Sequence, residues 1–140
     1  MSRPSRGFSL IDLLAALAIV AVLAALAVPV YAQYAYRARR IDGKELLLRM
    51  AQAQERYYAS YGRYGVLAEL GYADPLRSAR GYYLVTLDLD AGSGMQSFIA
   101  TAWPVSVQQG DRCGALTLDD TGRHIPQAGD AAANANGACW

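Results

Sequence analysis

Residues 13–32 form a run of twenty residues without a charge, of which nineteen are apolar and the other is Pro29. Twenty helical residues rise about 30 Å, which matches the thickness of the hydrocarbon core of a bilayer. A chain of 140 residues has no interior large enough to surround such a helix on every side. The run therefore favours a membrane-spanning helix over the core helix of an ordinary domain.

The composition narrows the chemistry that the chain can perform. It has 13 Lys and Arg against 12 Asp and Glu, so the overall charge gives no argument for a dedicated nucleic-acid binder, although a local basic patch stays open. One histidine and two cysteines cannot supply the four ligands of a structural zinc site and leave few groups for thiol-histidine catalysis. We therefore expect no enzyme activity, no metal and no cofactor.

The helical pattern continues beyond the apolar run. A stripe of mostly apolar and aromatic residues recurs at steps of three and four: Leu46, Leu47, Met50, Ala53, Gln54, Tyr57, Tyr58 and Tyr61. The charged residues of the opposite face are expected to face solvent or a partner: Arg37, Arg39, Arg40, Lys44, Glu45, Arg49 and Glu55. These patterns predict one helix from Phe8 to about Ser60, with breaks or bends at Pro29 and Gly43.

The second half of the chain has the pattern of a small sheet. Closely spaced glycines predict a connecting loop over residues 61–81. Residues 82–89 and 97–105 predict two strands, and residues 115–118 and 123–125 predict a third with a short fourth. The predicted fold class is α+β, with the long helix packed on an antiparallel sheet of three or four strands within residues 82–125.

The two cysteines bracket a tail that has no periodicity of its own. If Cys113 and Cys139 pair, the bridge ties residues 127–137 to the sheet and contributes about 3–4 kcal/mol on the chain-entropy model. The alternative is two free thiols in the cytosol. A small membrane-anchored head favours the bridge, and with it an oxidising compartment and a disulfide-bounded region over residues 113–140.

The N-terminal residues combine several specific features. Gly7 precedes Phe8, Asp12 is the fifth residue counted from Phe8, and Pro29 lies at the far end of the apolar run. This segment resembles the N-terminus of the type IV pilins and of the related pseudopilins. With residues 52–64 and the ending Cys139-Trp140, the whole chain is similar to the PilE-like minor type IV pilins with a class III methylation motif.

The resemblance implies a pilin fold and a defined order of parts. Residues 1–7 would be a cytoplasmic leader, which prepilin peptidase removes between Gly7 and Phe8 before N-methylation of Phe8. Residues 8–36 would form a single span of the bacterial inner membrane and later the fibre core, and residues 37–140 a periplasmic head whose first part, 37–60, is the amphipathic half of the helix. The inner-membrane assembly machinery would then place the subunit among other major and minor pilins in the extracellular pilus.

Asp12 has a role of its own in this resemblance. A carboxylate in a membrane helix is costly near the bilayer centre and is expected to have a partner. In the family that partner is the amine of the preceding subunit's first residue, here Phe8, although most members carry glutamate where this chain has Asp12. A cap of the helix start is the alternative role, which Ser9 could fill equally well.

The function expected from the resemblance is that of a minor structural subunit of a type IV pilus, which supports adhesion, twitching motility or DNA uptake. One alternative is a DNA-receptor pilin, in which arginines of the head contact phosphates: Arg77, Arg80, Arg112 and Arg123. The other alternative is a pseudopilin of a type II secretion system.

Overall fold

The computed structural model describes residues 9–140, so the predicted leader and the Gly7-Phe8 junction lie outside the described residues. The chain divides into two units, Met1–Ala35 and Tyr36–Trp140. The described residues contain one α-helix, α1 (Leu10–Tyr61). The first unit contains the start of α1, and the second unit contains the rest of α1 and the sheet.

Neither Pro29 nor Gly43 ends the helix, because α1 runs without interruption from Leu10 to Tyr61. The prediction of a break at these residues was wrong. Helices in an apolar environment accommodate an internal proline when local adjustments satisfy the freed carbonyl. Gly43 has a different role, which its contacts explain.

Gly43 allows α1 to lie close to the sheet. It is buried, and a Cβ added to it would lie 2.9 Å from two carbons of the Tyr83 ring. The ring is itself fully buried, so it has little room to move away from an added methyl group. Glycine at position 43 therefore allows a close contact between α1 and the Tyr83 ring, and it does not interrupt the helix.

The sheet has five antiparallel strands in the order of the sequence: β1 (Leu76–Arg77), β2 (Tyr83–Leu89), β3 (Phe98–Pro104), β4 (Leu116–Asp119) and β5 (His124–Ile125). The four strands predicted from the sequence are present, and the α+β fold class is confirmed. The expected number of three or four strands was too low, because Leu76 and Arg77 pair with Val85 and Leu84. A strand of two residues is too short to show the alternation that identifies a strand in a sequence.

The core lies between the second half of α1 and one face of the sheet. Leu47 and Met50 are fully buried, as the helical periodicity predicts. They belong to one cluster with the inward-facing residues of the three central strands: Tyr83, Val85, Phe98, Ala100, Ala102, Leu116 and Leu118. The tyrosines of the predicted stripe are less buried than Leu47 and Met50, and Tyr61 is 67% exposed. Tyr64, which follows α1, is buried edge-on against Phe98.

The disulfide between Cys113 and Cys139 is formed, with a distance of 2.11 Å between the sulfur atoms. Cys139 is fully buried in the core cluster. The tail before it contains a short 3₁₀ turn, Ala133–Asn136. The bridge therefore holds a segment without apolar periodicity against the sheet.

Gly43→Ala is expected to lower the free energy of unfolding by roughly 1–2 kcal/mol. The added methyl group would overlap the buried Tyr83 ring, and this overpacking outweighs the gain of about 1 kcal/mol in helix propensity. Chemical denaturation of the full-length protein in detergent measures the change. Gly129→Ala is the matched control, because an added Cβ there meets no atom within 4 Å; equal losses in both variants would contradict the assignment.

Candidate functional site

The start of α1 is stabilised by two reciprocal hydrogen bonds. The Ser9 Oγ accepts from the Ile11 N–H at 3.4 Å, and the Asp12 carboxylate accepts from the Ser9 N–H at 3.2 Å. This is the arrangement of a capping box, in which two residues three apart satisfy free N–H groups of the first turn. Asp12 therefore contributes to the helix cap, which was the alternative role considered for it in the sequence.

The first unit presents apolar side chains on all sides. Between Leu10 and Val30 its large apolar side chains are 55–77% exposed. This part of α1 is long and apolar enough to cross a membrane. Exposed apolar area costs roughly 25 cal/mol per Å² in water, so the segment requires lipid or other protein around it.

The second unit is organised around a buried ion pair. Arg40 is 1% exposed, and its guanidinium donates to both Asp111 oxygens, from Nε at 2.7 Å and from Nη2 at 2.6 Å. Burial by itself raises the pKa of Asp111, but the hydrogen bonds and the charge of Arg40 outweigh burial, and the pKa lies below its ordinary value. A two-pronged bond of this kind between arginine and carboxylate fixes both orientation and distance.

The same guanidinium holds the C-terminal tail. Its Nη1 donates to the carbonyls of Gly137 and Ala138 at 3.0 and 2.9 Å, and its Nη2 donates to the Asn136 Oδ1 at 2.6 Å. Arg37 donates to the carbonyl of Asn136. The expectation that Arg40 faces solvent or a partner was therefore wrong. Two of its N–H groups donate to Asp111, and three donate to a segment almost one hundred residues away in the sequence.

Asp42 performs a similar task for the turn between β1 and β2. Its carboxylate accepts from the Ser78 hydroxyl at 2.6 Å and from the N–H groups of Arg80 and Tyr82 at 3.0 and 3.3 Å. Three donors from one short turn converge on this buried side chain. The turn that presents Arg80 is therefore fixed to α1 by charge-assisted hydrogen bonds.

The four head arginines predicted as phosphate contacts are all exposed. Arg77 lies on β1 and Arg80 in the turn that follows it, so these two are neighbours at one edge of the sheet. Arg123 lies next to β5 at the opposite edge, where Asp119 pairs with it at 3.2 Å. The fold therefore groups Arg77 with Arg80 and keeps Arg123 apart from them.

Comparisons with known proteins agree with this architecture. Residues 29–117 match the family described as type IV minor pilin ComP, DNA uptake sequence receptor. The chain belongs to this family of type IV minor pilins. Residues 2–28 of the pilin match the prokaryotic N-terminal methylation motif, which with the apolar helix indicates membrane anchoring before pilus assembly.

A solved structure supports the same assignment for the fold. The pilin is similar to a type IV pilin from Shewanella oneidensis, with 28% sequence identity and a TM-score of 0.56 over 75% of this chain and 97% of the other. No match was found among curated proteins. The family and the fold are those of structural subunits, and the main expectation from the sequence, a minor subunit of a type IV pilus, is confirmed.

Asp111→Asn is expected to lower the free energy of unfolding by about 3–5 kcal/mol at pH 7, because it leaves the buried Arg40 guanidinium without its counter-charge. The folded pKa of Asp111 lies below the unfolded value of about 3.9, so its contribution is complete above that pH and is lost as the pH falls through the folded pKa. Denaturation curves of the wild type and of Asp111→Asn between pH 7 and pH 3 measure the difference in the free energy of unfolding. This difference is expected to become smaller at the acid end.

Glu45→Gln is the matched control for this prediction. It removes the exposed pair with Arg49 one helical turn away, which is expected to contribute less than about 0.5 kcal/mol. If Asp111→Asn cost no more than this control, the second unit would not be organised around the buried pair.

Proposed function

We propose that this minor pilin is made with the leader 1–7, is cut by prepilin peptidase between Gly7 and Phe8, and is N-methylated at Phe8. Its helix spans the inner membrane once, with the head in the periplasm, until the subunit joins other pilins in the fibre. The match to the methylation motif over residues 2–28 and the exposed apolar surface between Leu10 and Val30 support this order of events. The role is structural, and the PilE-like type remains part of the proposal.

Asp12 then aligns the subunit in the fibre. Its carboxylate pairs with the amine of Phe8 of the preceding subunit, in surroundings where an unpaired charge is strongly disfavoured. The cap bond to the Ser9 N–H supports this role, because it places the carboxylate in the first turn of α1, where negative charge is favoured. The shorter side chain of Asp12 relative to glutamate brings the two subunits closer for the same contact.

Asp12→Asn is expected to lower incorporation into pili at least tenfold, because the Phe8 amine of the neighbour then has no counter-charge. Asp12→Glu keeps the charge and is expected to retain incorporation. Mass spectrometry of sheared pili measures the abundance of each variant and the mass of the chain that begins at Phe8. Equal abundance of the Asn and Glu variants would contradict the role of Asp12, and a mass that includes residues 1–7 would contradict the cleavage.

A second function, recognition of DNA, is favoured by the family description over residues 29–117. Arg77 and Arg80 lie within that range and at one edge of the sheet, whereas Arg123 lies outside the range and is paired with Asp119. We propose that Arg77 and Arg80 bind neighbouring phosphates, with Arg112 as a further phosphate ligand. Phosphate contacts of this kind give affinity without sequence information.

Arg77→Gln with Arg80→Gln is expected to weaken DNA binding and to reduce the slope of log K against log salt by about 1 for each phosphate that is no longer neutralised. Arg123→Gln is expected to change the slope less. Titration of the full-length pilin in detergent with duplex DNA at several salt concentrations measures both. Arg56→Gln, an exposed residue of α1, is the control; an unchanged slope in the double variant would contradict the proposal.

A further inference from the structure

The face of the sheet that points away from the core has an order fixed by the strand register. Three rows of residues cross the strands, and every member projects outward. The rows are Arg77, Leu84 and Trp103; Thr86, Thr101, Thr117 and Ile125; and Asp88, Ile99 and Asp119. We call these ten residues the outer face.

The outer face carries apolar side chains that remain open to solvent. Trp103 is 51% exposed, Ile99 47% and Ile125 46%. The Trp103 indole N–H donates to the Thr86 hydroxyl at 3.1 Å, which orients the ring across the sheet. An ordered, half-exposed tryptophan among β-branched side chains is typical of a contact surface and costs little entropy to bury.

The charges of the outer face are separated. Arg77 lies at one end of the strands and Asp88 at the other, with the uncharged threonine row between them. The carboxylate of Asp119 is occupied by Arg123 and by donors of its own turn. Arg77 and Asp88 are therefore the charges that this face can offer to a partner.

This arrangement is complementary to itself, and we propose that the outer face docks on the outer face of a second copy of this chain. In this pair a two-fold axis runs between the two sheets, parallel to the threonine row. It places the row of Arg77 and Trp103 of one copy over the row of Asp88 and Ile99 of the other. Trp103 of one copy then lies over Ile99 of the other. Arg77 is offset sideways from the opposite Asp88 by about one strand spacing, ~4.8 Å, and its long side chain reaches across the ~10 Å between the facing sheets. Both contacts occur twice in such a pair.

The size of the face predicts how strong the contact is. Five strands at ~4.8 Å and three rows at ~7 Å cover about 500 Å² per copy, so a pair buries about 1,000 Å² in total, below the roughly 1,200 Å² of a stable complex. We infer a weak pair for single molecules. The contact becomes effective where several copies are displayed together, because the local concentration is then high.

Sedimentation of the full-length protein in density-matched detergent, at rising protein concentration, tests the proposal. The wild type is expected to dimerise reversibly. Arg77→Asp or Asp88→Arg places like charges opposite each other and is expected to weaken dimerisation roughly tenfold, because the pair of charges occurs twice. The combination of both reversals restores the opposite charges and is expected to bring dimerisation back to within about threefold of the wild type.

The recovery in the combined variant distinguishes a weakened interface from an unfolded head. Arg56→Asp, an exposed charge of α1 outside the outer face, is the control and should leave dimerisation unchanged. Asp88→Arg distinguishes this interface from DNA binding, because it adds positive charge and yet should weaken the pair. The proposal would be overturned if the wild type did not dimerise. It would also be overturned if all variants dimerised equally, because the apolar helices would then be the contact. Binding of DNA or polysaccharide to this face without self-association would overturn it as well.

Discussion

The apolar surface of α1 between Leu10 and Val30 has no cover within the residues that the structure describes, and the rest of the molecule follows from that constraint. Residues 13–32 contain ten Leu, Ile and Val residues, each of which favours a bilayer by about 0.3–0.6 kcal/mol at a helix centre. Together they favour insertion by about 3–6 kcal/mol. The same surface can instead be buried among other apolar helices, so one segment serves both as an anchor and as the material of a fibre core.

Charges in the two units are handled differently. In the head, Arg40 and Asp111 satisfy each other, and the spare donors of Arg40 bind tail carbonyls. A buried pair of this kind adds little net stability compared with apolar residues, but it is costly to break and it specifies one arrangement. Asp12 carries a charge in the apolar unit, where a carboxylate at the bilayer centre costs about 2.5–3.5 kcal/mol. A cost of that size takes up much of the insertion energy, which gives a physical reason for keeping the charge at the end of the segment.

The sequence predicted those parts of the fold that depend on periodicity. The step of 3.6 residues identified Leu47 and Met50 as core residues of α1. Strand-type residue patterns identified the three longer strands, and the polar turn after β4 identified the short β5. It did not predict the role of Arg40, because an arginine between two apolar segments has the pattern of a surface residue, and its acceptors lie 71 to 98 positions away. The roles of Asp42 and Gly43 were not predicted for the same reason. Their partners Ser78 and Tyr83 become neighbours only when the sheet forms.

The placement of the arginines limits what the head can bind. Arg40 is enclosed, Arg49 pairs with Glu45, Arg63 with Glu69 and Arg123 with Asp119. Arg39 lies 5.3 Å from the centre of the Tyr82 ring. Among the arginines that remain exposed, Arg77 and Arg80 are the two that lie beside one turn. Arg77 also belongs to the outer face, so the proposed phosphate binding and the proposed docking of a second copy draw on one guanidinium. A copy that is docked through this face therefore offers one phosphate ligand fewer, and an increase in salt weakens DNA binding more than it weakens an interface centred on Trp103 and Ile99.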